Sequence, residues 1–288
     1  MSLSIVVPSQ GDLTLKALLD ALLNSWVGAF TKDGGDSVEV LVAWDAKTSA
    51  PRRREFEQAW RQVRFVQAQV AGVNAARNCG IENAKFDRIW LLDDDVLPAH
   101  TNPVDFWRSD FDDRKVWGGE YWSPPEAGQA MRSANCLARM WRRSASHPRQ
   151  EALLGGSLSF TRQVWREVGR FSEAWEYGGT ETEWLFRVWR AGYESIHHSQ
   201  LDVWHVGRSR SWPQHLRAFW RQGLGKARTR QALPSLGKRM AQLSRLVVAG
   251  SNSGRETIGD QVGAVVLWSA ALAGTLYGRV ENALNRRH

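Results

Sequence analysis

The strongest constraint on this chain is an alternation that runs through residues 4–92. Apolar runs at 4–7, 38–43, 63–66 and 89–92 are too short for helices and read as strands. Between them lie helical segments at 13–23, 51–61 and 74–84. In the first of these, Leu15, Leu18, Leu19, Leu22 and Leu23 recur at helical spacing behind Asp12, which can cap the helix. Strands that alternate with helices predict a mostly parallel sheet covered by helices on both faces. Ligands of such sheets bind beyond the C-terminal ends of the strands. Asp45 stands at one of those ends, and Asp93-Asp94-Asp95 stand at another.

The later chain is less regular. Residues 105–150 show no clear period and are rich in Trp and Arg. A glycine-containing run at 153–161 reads as a strand, and 163–168 as a short helix. A helix is expected over 181–191 from Trp184, Leu185, Val188 and Trp189. Strands are expected at 193–196 and 201–204, the second ending at His205, with His197-His198 in a loop between them. After His205 the composition changes. Ten Lys and Arg lie between Arg208 and Arg245, and the next acidic residue is Glu256. Residues 262–277 are almost wholly apolar, about four short of the roughly twenty that span a bilayer. These shifts divide the chain into an α/β domain at 1–205 and a basic, amphipathic helical extension at 206–288.

Composition narrows the partners. With 43% hydrophobic residues in 288, the chain can build a core, which excludes global disorder. A net charge of +8 suits an anionic partner, whether a nucleotide diphosphate, a nucleic acid or an anionic membrane surface, and does not choose among them. Arg217, Phe219, Trp220 and Arg221 mix basic and aromatic groups, but no nucleic-acid motif accompanies them, and no nucleic acid is expected. The two cysteines, Cys79 and Cys136, form no metal-binding spacing and point to a reducing compartment. The first residues lack the basic and apolar regions of a secretory signal. The expected location is therefore cytoplasmic, including the inner face of the membrane. The sixteen Trp can stack on sugars, and Trp117, Trp122 and Trp175 are candidates on the acceptor side; core filling is the alternative for each.

Three adjacent carboxylates at the mouth of a buried strand repel one another unless a cation neutralises them. Hard oxygen ligands favour Mg²⁺ or Mn²⁺. Such an ion can bridge two phosphates and stabilise the charge that builds on a departing diphosphate. An acidic loop capping a helix is the plain alternative.

Several segments, taken in order, resemble the family 2 glycosyltransferases of GT-A fold. They are Ser4-Ile5-Val6-Val7-Pro8, then 72–81 around Ala76-Arg77-Asn78, then Leu91-Leu92-Asp93-Asp94-Asp95, Gly155-Gly156-Ser157, and Gly178-Gly179-Thr180-Glu181-Thr182-Glu183. The resemblance spans about residues 4–205, and it implies a nucleotide-binding half at 1–100 and an acceptor-binding half at 101–205. It implies an inverting transferase that uses a nucleotide-sugar donor, UDP-linked as the first expectation. The acceptor is a saccharide, a lipid-linked group, or a peptide or small molecule. By the same resemblance, Asp95 is the metal ligand, with Asp93 and His205 as further candidates. Asp93 and Asp94 also face the nucleotide sugar. Pro8 and Asp45 belong to the nucleotide site, although Trp44 stands where the family often has a second Asp. Arg77 is implied to position Asp45 or a phosphate. The acceptor base is implied at Glu181, where the family has Asp, and Glu183 is the alternative. Both acids could instead complement the helix dipole. A nucleotidyltransferase of similar fold, or a relative that has lost catalysis, are the rival expectations.

Overall fold

A computed structural model describes residues 1–27, 37–100, 105–143, 149–174, 180–207, 210–228 and 257–284. Gly178, Gly179, Trp175, Lys238, Arg239 and Arg245 lie outside the described residues. In chain order the elements are β1 (Ser2–Ser9), α1 (Leu13–Ala21), β2 (Ser37–Trp44), α2 (Ala50–Ala59), β3 (Arg64–Gln67), α3 (Val73–Asn83), β4 (Arg88–Leu92), β5 (Val96–Pro98), β6 (Lys115–Gly118), β7 (Tyr121–Trp122), α4 (Gln129–Arg143), β8 (Ser157–Thr161), α5 (Arg162–Val168), α6 (Thr180–Arg190), β9 (Glu194–His197), β10 (Val203–His205), α7 (Trp212–Arg228) and α8 (Ile258–Leu284).

The chain forms two compact units. The first, residues 1–122, 153–176 and 180–207, is the α/β unit. Its seven-stranded sheet has the order β3-β2-β1-β4-β8-β6-β9. The first four strands in that order are parallel, as the alternation predicts. β8 runs antiparallel to β4 and β6, which makes the sheet mixed at that point. Strand order reverses between β1 and β4, and the crevice at such a switch point is where α/β sheets bind ligands.

Alternating side chains feed two cores, one on each face. Ile5, Val7, Trp90 and Leu92 join Leu15, Leu18 and Leu19 of α1 on one face. Val6, Leu41, Ile89 and Leu91 join Ile81 of α3 and Trp184, Leu185 and Val188 of α6 on the other. Trp90, Trp107 and Trp184 are among the largest wholly buried side chains. Each stabilises the fold by about 1.5–3 kcal/mol or more. A second sheet, β5-β10-β7, is small, but it carries the chain out of β4 and back to it. β10 pairs antiparallel with β5, setting His205 opposite Val96.

The second unit, residues 123–152, 177–179 and 208–288, is helical among its described residues. Buried Cys136, Leu137 and Met140 of α4 pack with Ala264 and Leu267 of α8 and, at the edge, with Leu216 and Phe219 of α7. Arg132 pairs with the buried Asp260 at 3.1 Å. α7 and α8 approach closely: a Cβ at Gly274 would lie 2.3 Å from the Trp220 carbonyl oxygen.

Several expectations are corrected. Residues 105–150 are not irregular throughout, since α4 occupies 129–143. Interspersed arginines hide its apolar face, which is buried by packing within the unit. His197 lies at the end of β9 rather than in a loop. The run 201–204 splits into a 3₁₀ turn (Ser199–Leu201) and β10. The apolar segment 262–277 is the middle of a 27-residue helix, of which 22 residues (Ile258–Arg279) are long and apolar enough to cross a membrane by length and composition alone.

Candidate active site

The ends of β1, β2 and β4 bring their residues to one edge of the sheet. Pro8, Ser9, Asp12, Asp45, Val73, Ala76 and Asp94 line a cleft of about 150 Å³. That is below the roughly 300–1,000 Å³ of whole-ligand pockets, and it suits a part of a nucleotide. Asp45 is buried, and its two carboxylate oxygens accept from the Lys47 and Gly72 amides, both at 2.8 Å. Asp45 thus ties the turn after β2 to the start of α3.

Each aspartate of the acidic run has different company. Asp93 accepts from the Arg77 guanidinium at 2.8 Å, and Arg77 is only 3% exposed. Burial alone would lower the Arg77 pKa, but Asp93 and then Glu181 hold it above its ordinary value. The implied role of Arg77 toward Asp45 or a phosphate is therefore accompanied by a direct partner that the sequence did not suggest. Asp94 accepts from the Ser9 hydroxyl at 2.5 Å. Burial pushes its pKa up to about 7, the Ser9 bond opposes this, and Asp95 and Asp93 add to it. Asp95 faces His205, with 3.3 Å between Oδ2 and Nε2. The Val206 amide donates to the Asp95 carbonyl at 2.9 Å and fixes that approach.

Tyr121, which the sequence did not single out, belongs to this cluster, together with Gly156 of the Gly155-Gly156-Ser157 segment. Tyr121, in β7, is a half-buried residue whose ring stands 5.2 Å from that of His205. Burial raises its phenol well above the ordinary value, and Asp93 and Asp95 raise it further. A Cβ on Gly156 would lie 1.8 Å from the Tyr121 hydroxyl and 2.9 Å from Asp93 Oδ2. Gly156 is thus required by close approach. No local pattern marks Tyr121, because β7 has two residues and is held by long-range pairing to β10.

Glu181 and Glu183 both lie in the first turn of α6, yet they differ. Glu183 makes a two-point ion pair with Arg187, at 2.7 and 2.8 Å. Arg187 also donates to the Val168 and Arg170 carbonyls, both at 2.8 Å. Glu181 instead raises the pKa values of both Arg77 and Tyr121, which places its charge toward the Asp93 cluster.

The donor set of Asp95, His205 and Asp93 mixes oxygen with one imidazole nitrogen, which fits Mn²⁺ or Mg²⁺. Asp95 and His205 are already adjacent. Asp93 is oriented by Arg77. Among the described residues, the set whose ligand atoms all lie within 4.8 Å of one another is a different one, Glu120, His197 and Asp202. There, Asp202 accepts from His197 at 2.8 Å, the Glu120 amide at 2.7 Å and the Trp122 indole at 3.0 Å. Burial would raise the Asp202 pKa, but those three bonds outweigh it and hold it below its ordinary value. With its carboxylate so occupied, Asp202 serves as a clamp that joins the end of β9, the β6–β7 turn and β7 to the start of β10.

Residues 4–113 match the model of glycosyl transferase family 2. Among solved structures, the chain is similar in fold to mannosyltransferase PcManGT from Pyrobaculum calidifontis, in complex with GDP-Man and Mn²⁺. The identity is 13%, the TM-score 0.60, and the match covers 96% of this chain and 86% of that one. It is also similar to S. aureus TarS, at 13% identity and TM-score 0.53, covering 97% of this chain and 54% of TarS. No curated protein sequence matches.

Proposed function

We propose that this chain, whose residues 4–113 match glycosyl transferase family 2, is a metal-dependent, inverting glycosyltransferase. The donor is a nucleotide-diphosphate sugar, with UDP-sugars tested first and GDP-mannose second, since PcManGT holds GDP-Man. The observation that carries the proposal is the meeting of Asp95 with His205 at 3.3 Å, from positions 110 residues apart.

Asp95, His205 and Asp93 would hold Mn²⁺ or Mg²⁺, which supplies neutralising charge for the departing diphosphate. Arg77 fixes the Asp93 carboxylate in one orientation. Ser9, Asp45 and Asp94 form the cleft for the nucleoside part of the donor. Glu181 accepts the proton of the acceptor hydroxyl as its oxygen attacks the anomeric carbon. The new C–O bond forms on the face opposite the breaking C–O bond, and the electron pair leaves with the diphosphate. Glu183 is bound by Arg187 and holds α6 in place. The acceptor is a saccharide, lipid-linked, or peptide or small-molecule hydroxyl. Cys79 and Cys136 are not joined in a disulfide, which suits a reducing, cytoplasmic setting.

The test is release of nucleoside diphosphate from a panel of sugar nucleotides with Mn²⁺, with a chelator control. Metal-dependent release from at least one donor is expected. No release from any donor at high enzyme concentration would remove the proposal.

A further inference from the structure

We propose that the helical unit docks on an anionic phospholipid bilayer through the exposed face of α8. The first observation is where apolar surface is left uncovered. Ile258, Val262, Val266, Leu276 and Tyr277 are 45–80% exposed. At 100° per residue they share one side of the helix, over about 29 Å of its length. No Lys, Arg, Asp or Glu occurs between residues 261 and 278. Among the described residues, the other large exposed apolar side chains are scattered singly, at Leu13, Val70, Val73 and Phe186. A contiguous exposed stripe marks a contact surface, whereas single residues do not.

The second observation is charge, and it selects the occupant. The helical unit holds 19 Lys and Arg against 5 Asp and Glu, a net +14. The α/β unit holds 19 against 25, a net −6. The chain's whole positive excess therefore lies in the unit that carries the apolar stripe. Arg217 and Arg221 are exposed on α7 within that unit. Basic groups beside an apolar helix face are the pairing that binds anionic lipid at the interface.

α8 lies on the bilayer and does not cross it. Its other face is committed within the unit, through buried Ala264, Leu267 and Ala271 and through the Asp260–Arg132 pair. A spanning helix would have to give up those contacts. The docking surface deepens the transferase proposal by naming a membrane partner for it, and it favours the lipid-linked class of acceptor.

The experiment is flotation of the full chain with phosphatidylcholine vesicles, with and without phosphatidylglycerol. Binding to the anionic vesicles that weakens with salt is expected. Val262→Asp with Val266→Asp should lower the bound fraction on the order of tenfold. Arg217→Glu with Arg221→Glu should lower it too, which keeps the test intact if the first variant fails to fold by circular dichroism. No binding at low salt, or undiminished binding by both folded variants, would overturn the proposal. So would light scattering showing a multimer that the Val262→Asp, Val266→Asp variant splits, since a second copy would then cover the stripe. Nucleoside diphosphate release without vesicles is measured on the same samples. Turnover without flotation removes the docking alone, and flotation without turnover removes the transferase assignment alone.

Discussion

The two units are built by different means. In the α/β unit, strands far apart in sequence pair and deliver single side chains to one edge, and acidic groups outnumber basic ones by 25 to 19. In the helical unit, basic groups outnumber acidic ones by 19 to 5, and exposed apolar groups run along one helix. The first unit concentrates negative charge at defined atoms, those of Asp93, Asp94 and Asp95 at the end of β4. The second carries a net +14, the balance that the proposed anionic surface would need. Site chemistry and surface affinity therefore rest on different residues, and variants should separate them.

The largest effect is expected at Asp95. Asp95→Ala should reduce metal-dependent turnover by about 10³-fold or more while leaving vesicle flotation unchanged. Retained turnover would move the metal elsewhere. Glu181→Gln should follow, with a loss of about 10²–10⁴-fold. Glu183→Gln should lower the melting temperature instead, because it releases Arg187 from its two-point pair, and cost under about tenfold in turnover. The opposite ranking would make Glu183 the base.

Gly156→Ala should cost about 10²-fold, because its methyl displaces the Tyr121 hydroxyl beside Asp93. Adding Tyr121→Phe to Gly156→Ala should restore part of the loss. If it restores none, the clash does not explain the defect.

The smallest effect concerns Asp94 and stability in a metal chelator. Its folded pKa of about 7 lies above the ordinary aspartate value of 3.8. The folded state therefore holds a proton that the unfolded chain releases between those values. Stability from this group is fully present below about pH 4 and is lost as pH rises through about 7. Melting curves of Asp94→Asn should lack this fall, so the variant gains on the parent by about a few degrees at pH 8 and less at pH 5. Equal differences at both pH values would remove Asp94 as the cause. Vesicle binding should be indifferent to all of these changes.

Much of the α/β unit was legible because its signals are local. Leu15, Leu18 and Leu19 show helical spacing, and 89–92 is a buried run that ends in three aspartates. α4 was not legible, because Arg132, Arg139 and Arg142 interrupt its apolar period and its partners lie far along the chain. Tyr121 was hidden by the brevity of β7, whose position depends on pairing with β10. The Asp202 clamp was hidden because it joins residues up to 82 apart.

The alternation of strands and helices, the acidic run at a strand end and the surplus of basic residues after His205 can be read from residue order alone. They rest on local spacing and composition and need no partner from elsewhere. That Arg77 holds Asp93, that His205 meets Asp95, that Glu183 is bound by Arg187 while Glu181 acts on the cluster, and which side of α8 is left uncovered are set by packing. Each depends on strand pairing or helix packing across many residues, and the sum of those contacts sets where a side chain's final atoms lie.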